Sequence, residues 1–226
     1  MNHTLLKRVA VEGVGTAMLL AAVVGSGIMG ERLAAGNVAI ALLANSIATG
    51  AILAALITAF GGISGAHFNP VVTLATVCRK EMTAREAPPY IAAQVGGAFL
   101  GVATAHIMFG LPLFFASAHD RSGTAQMFAE AVATFGLLAT IFSCARYRPT
   151  AVPFAVGAYI TGAYWFTAST SFANPAVTLS RSFTGTFAGI RLSNIPAFVT
   201  AQLFGAAAAT IFLSWVAPTE RHRDLK

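Results

Sequence analysis

The sequence predicts an all-α membrane protein with six transmembrane helices and two re-entrant half-helices, arranged as an inverted repeat. Three observations support this prediction: the composition, the lengths of the apolar segments, and a set of motifs that occurs twice in the same order. Of the 226 residues, 56% are hydrophobic and 10% are charged, whereas an ordinary soluble domain carries about 25% charged residues. The composition therefore excludes a water-soluble globular domain.

Six apolar segments have the roughly 20 residues that a membrane-spanning helix requires. They cover residues 9–30, 37–60, 88–110, 124–145, 150–168 and 194–216. The first segment follows Lys7 and Arg8, so a cleaved signal peptide is the alternative for it. The segment is too long for a signal core and carries Glu12 in its middle. We therefore interpret it as the first transmembrane helix.

Two further apolar stretches, 61–78 and 169–190, are interrupted by glycine or proline. Backbone that does not form a complete helix is stable at membrane depth only when protein buries it or when it lines a cavity. Both stretches are therefore predicted to be re-entrant segments.

The basic residues predict the orientation. Six spans place both termini on one side of the membrane, and if that side is cytoplasmic, four of the fourteen Lys and Arg residues face outward and ten face inward. The outward four are Arg32, Arg121, Arg181 and Arg191, and the inward ten are Lys7, Arg8, Arg79, Lys80, Arg85, Arg146, Arg148, Arg221, Arg223 and Lys226. This asymmetry favours cytoplasmic termini. It also explains the pI near 9.9 without a nucleic-acid partner.

The residues that commonly bind metals or cofactors form no pattern. The two cysteines and five histidines do not recur at ligand spacing. The sequence therefore predicts no metal site and no cofactor.

Three landmarks occur in the same order in both halves of the chain. The first half contains VEGVGTA at 11–17, NPVVTL at 69–74 and AQVGGA at 93–98, and the second contains AEAVATF at 129–135, NPAVTL at 174–179 and AQLFGA at 201–206. Internal duplication is common in membrane transport proteins. With three spans in each half, the second copy is inverted, so we predict repeats over 5–112 and 122–217 within one domain, 1–226.

Two features of the repeat predict local structure. Proline is favoured at the first position of a helix and asparagine at its N-cap, so Asn-Pro predicts the start of each half-helix. These motifs are Asn69-Pro70-Val71 and Asn174-Pro175-Ala176. The second feature is a glutamate in each half, Glu12 and Glu130. Intramembrane carboxylates usually mark ion pathways, but they can also accept hydrogen bonds from buried loop amides.

The segments SGAHFNPVVTLA at 64–75 and SFANPAVTLSRSF at 171–183 resemble the major intrinsic protein family, the aquaporins and aquaglyceroporins, and the resemblance covers essentially the whole chain. It implies an aquaporin-like homotetramer in the lipid bilayer, a channel and not an enzyme. It also implies that Asn69 and Asn174 donate hydrogen bonds to the passing molecule at the bilayer midplane, and that Glu12 and Glu130 are scaffolds for the re-entrant loops. Val71 departs from the alanine that is usual in the first motif.

The family's constriction is found by counting from the two asparagines. In this chain the counting gives Thr49, Gly162, Ser171 and Val177. None is aromatic or arginine, which departs from the family pattern and predicts a wide, partly apolar and uncharged opening. Valine after the second motif is similar to a bacterial subgroup associated with arsenic resistance. The implied substrates are glycerol-like polyols, metalloid hydroxides such as arsenous acid, and water, with protons and ions excluded, across a bacterial inner membrane.

Two other residues are pore candidates. His67 is expected to line the cytoplasmic side of the pore. Arg181 lies one helical turn beyond Val177, where it either partly replaces the missing filter charge or pairs within the outer loops.

Other functions remain open at this point. A mainly water-selective aquaporin shares the repeat and the Asn-Pro motifs and is one alternative. An ion-coupled secondary transporter also has inverted repeats and broken helices, with Glu12 and Glu130 as its candidate ion site. A structural role at a membrane junction needs no open pore.

Overall fold

The computed structural model describes residues 3–217. Its helices are α1 (Leu5–Leu33), α2 (Val38–Ser64), α3 (Pro70–Cys78), α4 (Ala87–Met108), α5 (Thr124–Tyr147), α6 (Val152–Phe166), α7 (Pro175–Ser180) and α8 (Ile195–Val216), with short 3-10 turns at Pro149–Ala151, Arg181–Phe183 and Leu192–Asn194. Three residues that we assigned to the cytoplasmic side, Arg221, Arg223 and Lys226, lie outside the described residues.

Long apolar helices confirm a membrane protein. Five helical segments within the described range are long and apolar enough to cross a bilayer: α1, α2, α4, α5 and residues 192–216. Large apolar side chains such as Phe204 and Ile211 remain 71% and 73% exposed on the outside of the bundle. The fifth predicted span, 150–168, is shorter than expected. A 3-10 turn precedes its helix, α6, which has 15 residues and is therefore about 22 Å long.

The two halves have the same internal packing. In the first half α1 packs against α2 and α4, and in the second half α5 packs against α6 and α8. Contact between α2 and α6 joins the halves, and each half-helix, α3 and α7, packs against both α4 and α8. This is the predicted inverted repeat of six helices and two half-helices.

The half-helices enter the bundle from opposite faces. We name the face where α1 begins the near face and the face where it ends the far face. At the near face Arg8 pairs with Glu86. The end of α3 also lies there, because the Nη2 of Arg79 donates to the carbonyl of Ala217, just after α8, at 3.4 Å. The turn after α7 lies at the far face, where the Ser117 amide donates to the Ser182 carbonyl at 2.9 Å.

Small residues let the long helices approach closely. An ideal Cβ on Gly97 of α4 would lie 2.2 Å from the carbonyl oxygen of Gly13 in α1, and one on Gly205 of α8 would lie 2.3 Å from that of Ala131 in α5. Small residues at helix interfaces allow such close backbone contact. The two equivalent contacts set the distance between the helices that support each half-helix.

A matched pair of glycine substitutions tests this contact. Gly97→Ala places a methyl group against the backbone of α1, and overpacking of this kind costs about 1–3 kcal/mol. Gly96→Ala is the control, because a Cβ there meets no atom within 4 Å. We expect thermal unfolding of the purified protein to begin at a lower temperature in Gly97→Ala and to be unchanged or delayed in Gly96→Ala. Equal unfolding temperatures would contradict the packing argument.

Candidate functional site

Each half-helix begins at an asparagine cap followed by proline. The Asn69 side chain accepts a hydrogen bond from the Val71 amide at 3.0 Å. The Asn174 side chain accepts from the Ala176 and Val177 amides at 3.0 and 3.3 Å. Proline at the first helical position loses no intrahelical hydrogen bond. The Asn-Pro motifs therefore begin α3 and α7 as the sequence predicts.

The two asparagines also connect the half-helices to each other. The Nδ2 of Asn69 donates to the Ala173 carbonyl, and the Nδ2 of Asn174 donates to the Phe68 carbonyl, each at 2.8 Å. An amide has two N–H donors and one acceptor oxygen. The oxygen accepts from the half-helix and one N–H donates to the opposite loop, so each amide keeps one further N–H donor.

The loops that precede the asparagines have unusual backbone conformations. Ala66 and Phe68 in the first loop have φ values of 49° and 47°, and Ser171 and Ala173 in the second have 51° and 47°. A left-handed conformation costs a residue with a side chain about 1–2 kcal/mol. Such strain persists only when the surroundings fix the backbone.

Glu12 provides this support in the first half. Its Oε1 accepts from the Ser64 hydroxyl at 2.7 Å and from the His67 amide at 3.0 Å. Its Oε2 accepts from the Phe68 amide at 2.7 Å and from the Gln94 side chain at 2.8 Å. All four partners donate to the carboxylate, which fixes the loop from α1.

Glu130 makes the equivalent contacts in the second half. Its Oε1 accepts from the Phe172 amide at 2.8 Å, and its Oε2 accepts from the Ala173 amide at 2.9 Å and from Gln202 at 2.6 Å. The same Gln202 nitrogen lies 2.8 Å from the Thr178 hydroxyl in α7, as that of Gln94 lies 2.9 Å from Thr73 in α3. The two glutamines thus connect the carboxylates to the half-helices.

A cavity of about 250 Å3 passes both asparagines. At its near end it is lined by Glu81 and Ala145, and at its far end by Thr49, Tyr164 and Arg181. Val71 is fully buried in a cluster with Leu138, Phe142 and other residues of α5 and α8, and it does not line the cavity. The valine in the first motif therefore packs behind α3 without narrowing the cavity.

This arrangement of half-helices agrees with a sequence comparison, in which a model of the major intrinsic protein family matches residues 1–162. The chain belongs to this family. It is similar to the aquaglyceroporin AqpS of Rhizobium meliloti (strain 1021), with 54% identity over 212 residues that cover 94% of this chain and 91% of the relative. It is also similar to the aquaporin AqpM of Methanothermobacter marburgensis, with 32% identity over 238 residues, 92% of this chain and 96% of the relative.

A solved structure shows the same fold. The aquaglyceroporin from Plasmodium falciparum matches with a TM-score of 0.74 over 95% of this chain and 98% of that one, at 17% sequence identity. The members of the major intrinsic protein family are channels, not enzymes. This protein is therefore a membrane channel for small solutes.

Three of the four residues predicted to form the constriction of this family line the cavity. They are Thr49, Ser171 and Val177, and each is less than a tenth exposed. Their position on the far side of the asparagines agrees with the counting from the family pattern.

The prediction for Gly162 needs correction. Gly162 is exposed, a Cβ there would meet no atom within 4 Å, and it shares a helical face with Phe154 and Trp165, which are 66% and 47% exposed. The cavity is lined instead by the opposite face of α6, which carries Ile160 and Tyr164. The counting fails because Gly162 lies on the outward face of α6, opposite the face that carries Ile160 and Tyr164.

The prediction of an uncharged opening also needs correction, because Arg181 lines the cavity together with Tyr164. The hydroxyl groups of Tyr164 and Thr49 are 3.2 Å apart. Arg181 is 2% exposed and lines the cavity. Its Nε donates to the carbonyl of Ala188 in the following loop. Arg181 therefore places charge at the cavity and also bonds to the outer loop. An arginine and a tyrosine reach the far side from positions that the pattern does not name.

His67 lines the cavity on the near side of the asparagines. Its Nδ1 lies 3.1 Å from the Thr73 hydroxyl, and its ring centroid lies 5.6 Å from that of Tyr90. The sequence analysis did not identify Tyr164, Phe172 or Arg121 as candidates. The sequence could have identified Tyr164, because it lies four residues after Ile160 and therefore on the same face of the helix. Arg121 lies in a loop that no motif marks.

Substitution of Glu12 tests whether the carboxylate holds the loop. Glu12→Gln replaces one acceptor oxygen with a donor and leaves buried donors without a partner, which costs about 1–3 kcal/mol for each. We expect a lower yield of folded protein and a lower unfolding temperature, while the protein that folds conducts without a new pH dependence. Glu31→Gln, at an exposed position of α1, is the control and should unfold like the unmodified protein. A steep change in the pH dependence of transport would instead indicate a proton pathway through Glu12.

Proposed function

We propose that the protein is a passive channel for uncharged solutes, namely glycerol-like polyols, metalloid hydroxides such as arsenous acid, and water, and that it excludes protons and cations. The observation that carries this proposal is the asparagine pair. Each amide lines one cavity and has a single N–H donor left, so the junction of the half-helices offers donors to a passing oxygen.

Cation exclusion follows from two properties of this junction. The N-terminus of a helix is equivalent to roughly half a positive charge, and here two such termini meet at the cavity. A proton moves along water molecules only where each can donate to the next. An oxygen that accepts from both amides is oriented with its own hydrogens pointing away, which interrupts the chain of donors.

The far constriction suits a compact solute with several hydroxyl groups. Thr49, Tyr164 and Ser171 supply hydroxyls that can donate or accept, and Arg181 supplies donors. Val177 supplies an apolar surface without the bulk of a longer side chain. Pore selectivity depends on diameter, on hydrogen-bonding groups and on electrostatic barriers. Glycerol and arsenous acid each carry three hydroxyls, and the similarity to an aquaglyceroporin over most of the chain supports this substrate class.

An ion-coupled transporter is less well supported. Such a protein needs a side chain that binds and releases the coupling ion. The oxygens of Glu12 and Glu130 already accept hydrogen bonds from the loops, and a proton there would displace a donor that holds the backbone. We therefore assign both carboxylates a scaffold role.

The membrane setting is part of the same proposal. We infer a homotetramer in a bacterial inner membrane with the near face toward the cytoplasm. The support is the distribution of basic residues, since Arg8, Arg79, Lys80 and Arg146 lie at or beside the near ends of helices.

Flux measurements in proteoliposomes test the proposed function. Water, glycerol, urea and arsenite are each supplied in a gradient, and swelling or uptake is followed with and without a protonophore. We expect flux of glycerol and arsenite well above that of protein-free vesicles, with no effect of the protonophore. Water flux alone would indicate a water-selective aquaporin, and flux abolished by the protonophore would indicate a coupled transporter.

Val177→Arg tests the size of the constriction. The long side chain would extend into the cavity one turn before Arg181 and narrow it, so glycerol flux should fall by a larger factor than water flux. Val177→Leu is the control for added bulk without charge, and we expect a smaller effect. An equal loss of both fluxes in correctly folded protein would show that Val177 does not determine the size limit.

A further inference from the structure

Two buried arginines flank one aromatic ring at the far end of the cavity. The guanidinium carbon of Arg181 lies 3.5 Å from the ring centroid of Phe172, and that of Arg121 lies 5.0 Å from it. Arg181 is 2% exposed and Arg121 is 9% exposed. A cation over an aromatic face is stabilised by about 0.5–2 kcal/mol, which orients the two side chains without neutralising their charge.

The positive charge at this point is only partly balanced. Among residues 3–217, neither arginine has a carboxylate oxygen within ion-pair distance. Glu130 attracts both through space, but its oxygens accept from the second loop and from Gln202. One negative charge therefore faces two positive charges. Buried charges in proteins are ordinarily paired, so this net positive charge is an exception.

The field of these arginines extends to the loop between α4 and α5 at the far face. His119 lies in the exposed loop between α4 and α5. Burial lowers its pKa, and the neighbouring charges of Arg121 and Arg181 lower it further, against the opposing effect of Asp120. A solute that approaches from the far face therefore meets a positive potential.

Unused hydrogen-bond donors accompany the charge. A guanidinium has five N–H groups. In Arg181 the Nε–H donates to Ala188 and the Tyr164 hydroxyl interacts with the guanidinium, so N–H groups of the two Nη atoms remain available to a ligand. The Ser171 hydroxyl also has no partner, although it is buried and lines the same cavity. Unsatisfied buried polar groups are rare, and this one lies in the wall of the constriction.

We propose that the far constriction binds a small planar oxyanion of the carboxylate or nitrate type, held by Arg181 and Ser171. A guanidinium presents parallel N–H groups that match two oxygens of a planar anion, and the Ser171 hydroxyl donates to one of them. Arg121, whose guanidinium carbon also lies near the Phe172 ring, contributes further positive charge. The inference rests on the proposed function in one respect: neutral solutes pass the same point, so a bound oxyanion obstructs them.

Competition between nitrate and glycerol tests the site. Nitrate is planar and has no neutral acid form at neutral pH that could cross the lipid. Glycerol flux is measured in proteoliposomes with potassium nitrate on both sides, and then with potassium chloride at the same ionic strength, because chloride is not a planar oxyanion. We expect a saturable decrease, about twofold at the concentration that fills half of the sites. Flux that is equal in the two salts would overturn the proposal.

Two variants locate the effect. Arg181→Met removes the charge and keeps a long side chain, and it should abolish the decrease caused by nitrate. Arg191→Met is the matched control, because Arg191 also lies on the far side but is exposed and faces Asp120 at 3.8 Å; it should keep the decrease. If Arg181→Met does not fold, Ser171→Ala replaces it, with a weaker response to nitrate expected. An unchanged response in the variants at Arg181 or Ser171 would show that nitrate acts elsewhere.

A second measurement separates this proposal from the proposed function. Thermal unfolding of the purified protein is compared in nitrate and chloride, because a ligand that binds the folded state raises the unfolding temperature. We expect a rise that Arg181→Met abolishes and Arg191→Met keeps. If vesicles in chloride show no glycerol flux, the proposed function fails while this shift still reports binding. If glycerol flux is normal and nitrate causes no shift, only the oxyanion site fails.

Discussion

The structure depends on two carboxylates buried beside the loops that precede the half-helices. The first loop holds two residues with side chains in a left-handed conformation and the second holds three, and isolated loops of this kind would rearrange. Glu12 and Glu130 prevent this, because each accepts hydrogen bonds from two successive loop amides and from a glutamine of a neighbouring helix. The loops in turn fix the asparagines, and the asparagines fix the junction of α3 and α7. Every feature of the cavity follows from this chain of contacts.

The same contacts separate charge across the loops. The carboxylates lie behind the loops, where they face N–H groups that point away from the cavity. The positive ends of the half-helices and the free amide donors face the cavity itself, and Arg181 adds a full positive charge on the far side. Negative charge therefore stabilises the backbone while the surface that a solute meets is rich in donors. The exclusion of cations and the binding of an oxyanion that we propose both derive from this separation.

At the far constriction, the positive charge comes from a different sequence position than the one that the family pattern names. The family pattern places an arginine three residues after the second asparagine, where this chain has Val177. A guanidinium nevertheless reaches the cavity from Arg181, one turn later, because α7 ends at Ser180 and the following turn directs the chain back toward Phe172. The presence of valine at position 177 therefore changes both the position of the positive charge and the space that is left in the constriction.

The sequence by itself determined the features that depend on local or repeated chemistry. Asn-Pro pairs favour the start of a helix, apolar segments of about 20 residues can span a bilayer, and a duplicated order of motifs with three spans in each copy requires inversion. The tertiary structure alone decided which side chains meet. Gly162 and Tyr164 are two residues apart, yet they lie on opposite faces of α6, and the rotation of that helix is fixed by its packing against α2 and α5. Arg121 reaches Phe172 from a loop between the halves, and no periodicity constrains the path of such a loop. Contacts across the bundle depend on the rotation of each helix and on the path of each loop. The spacing of residues along the chain determines neither.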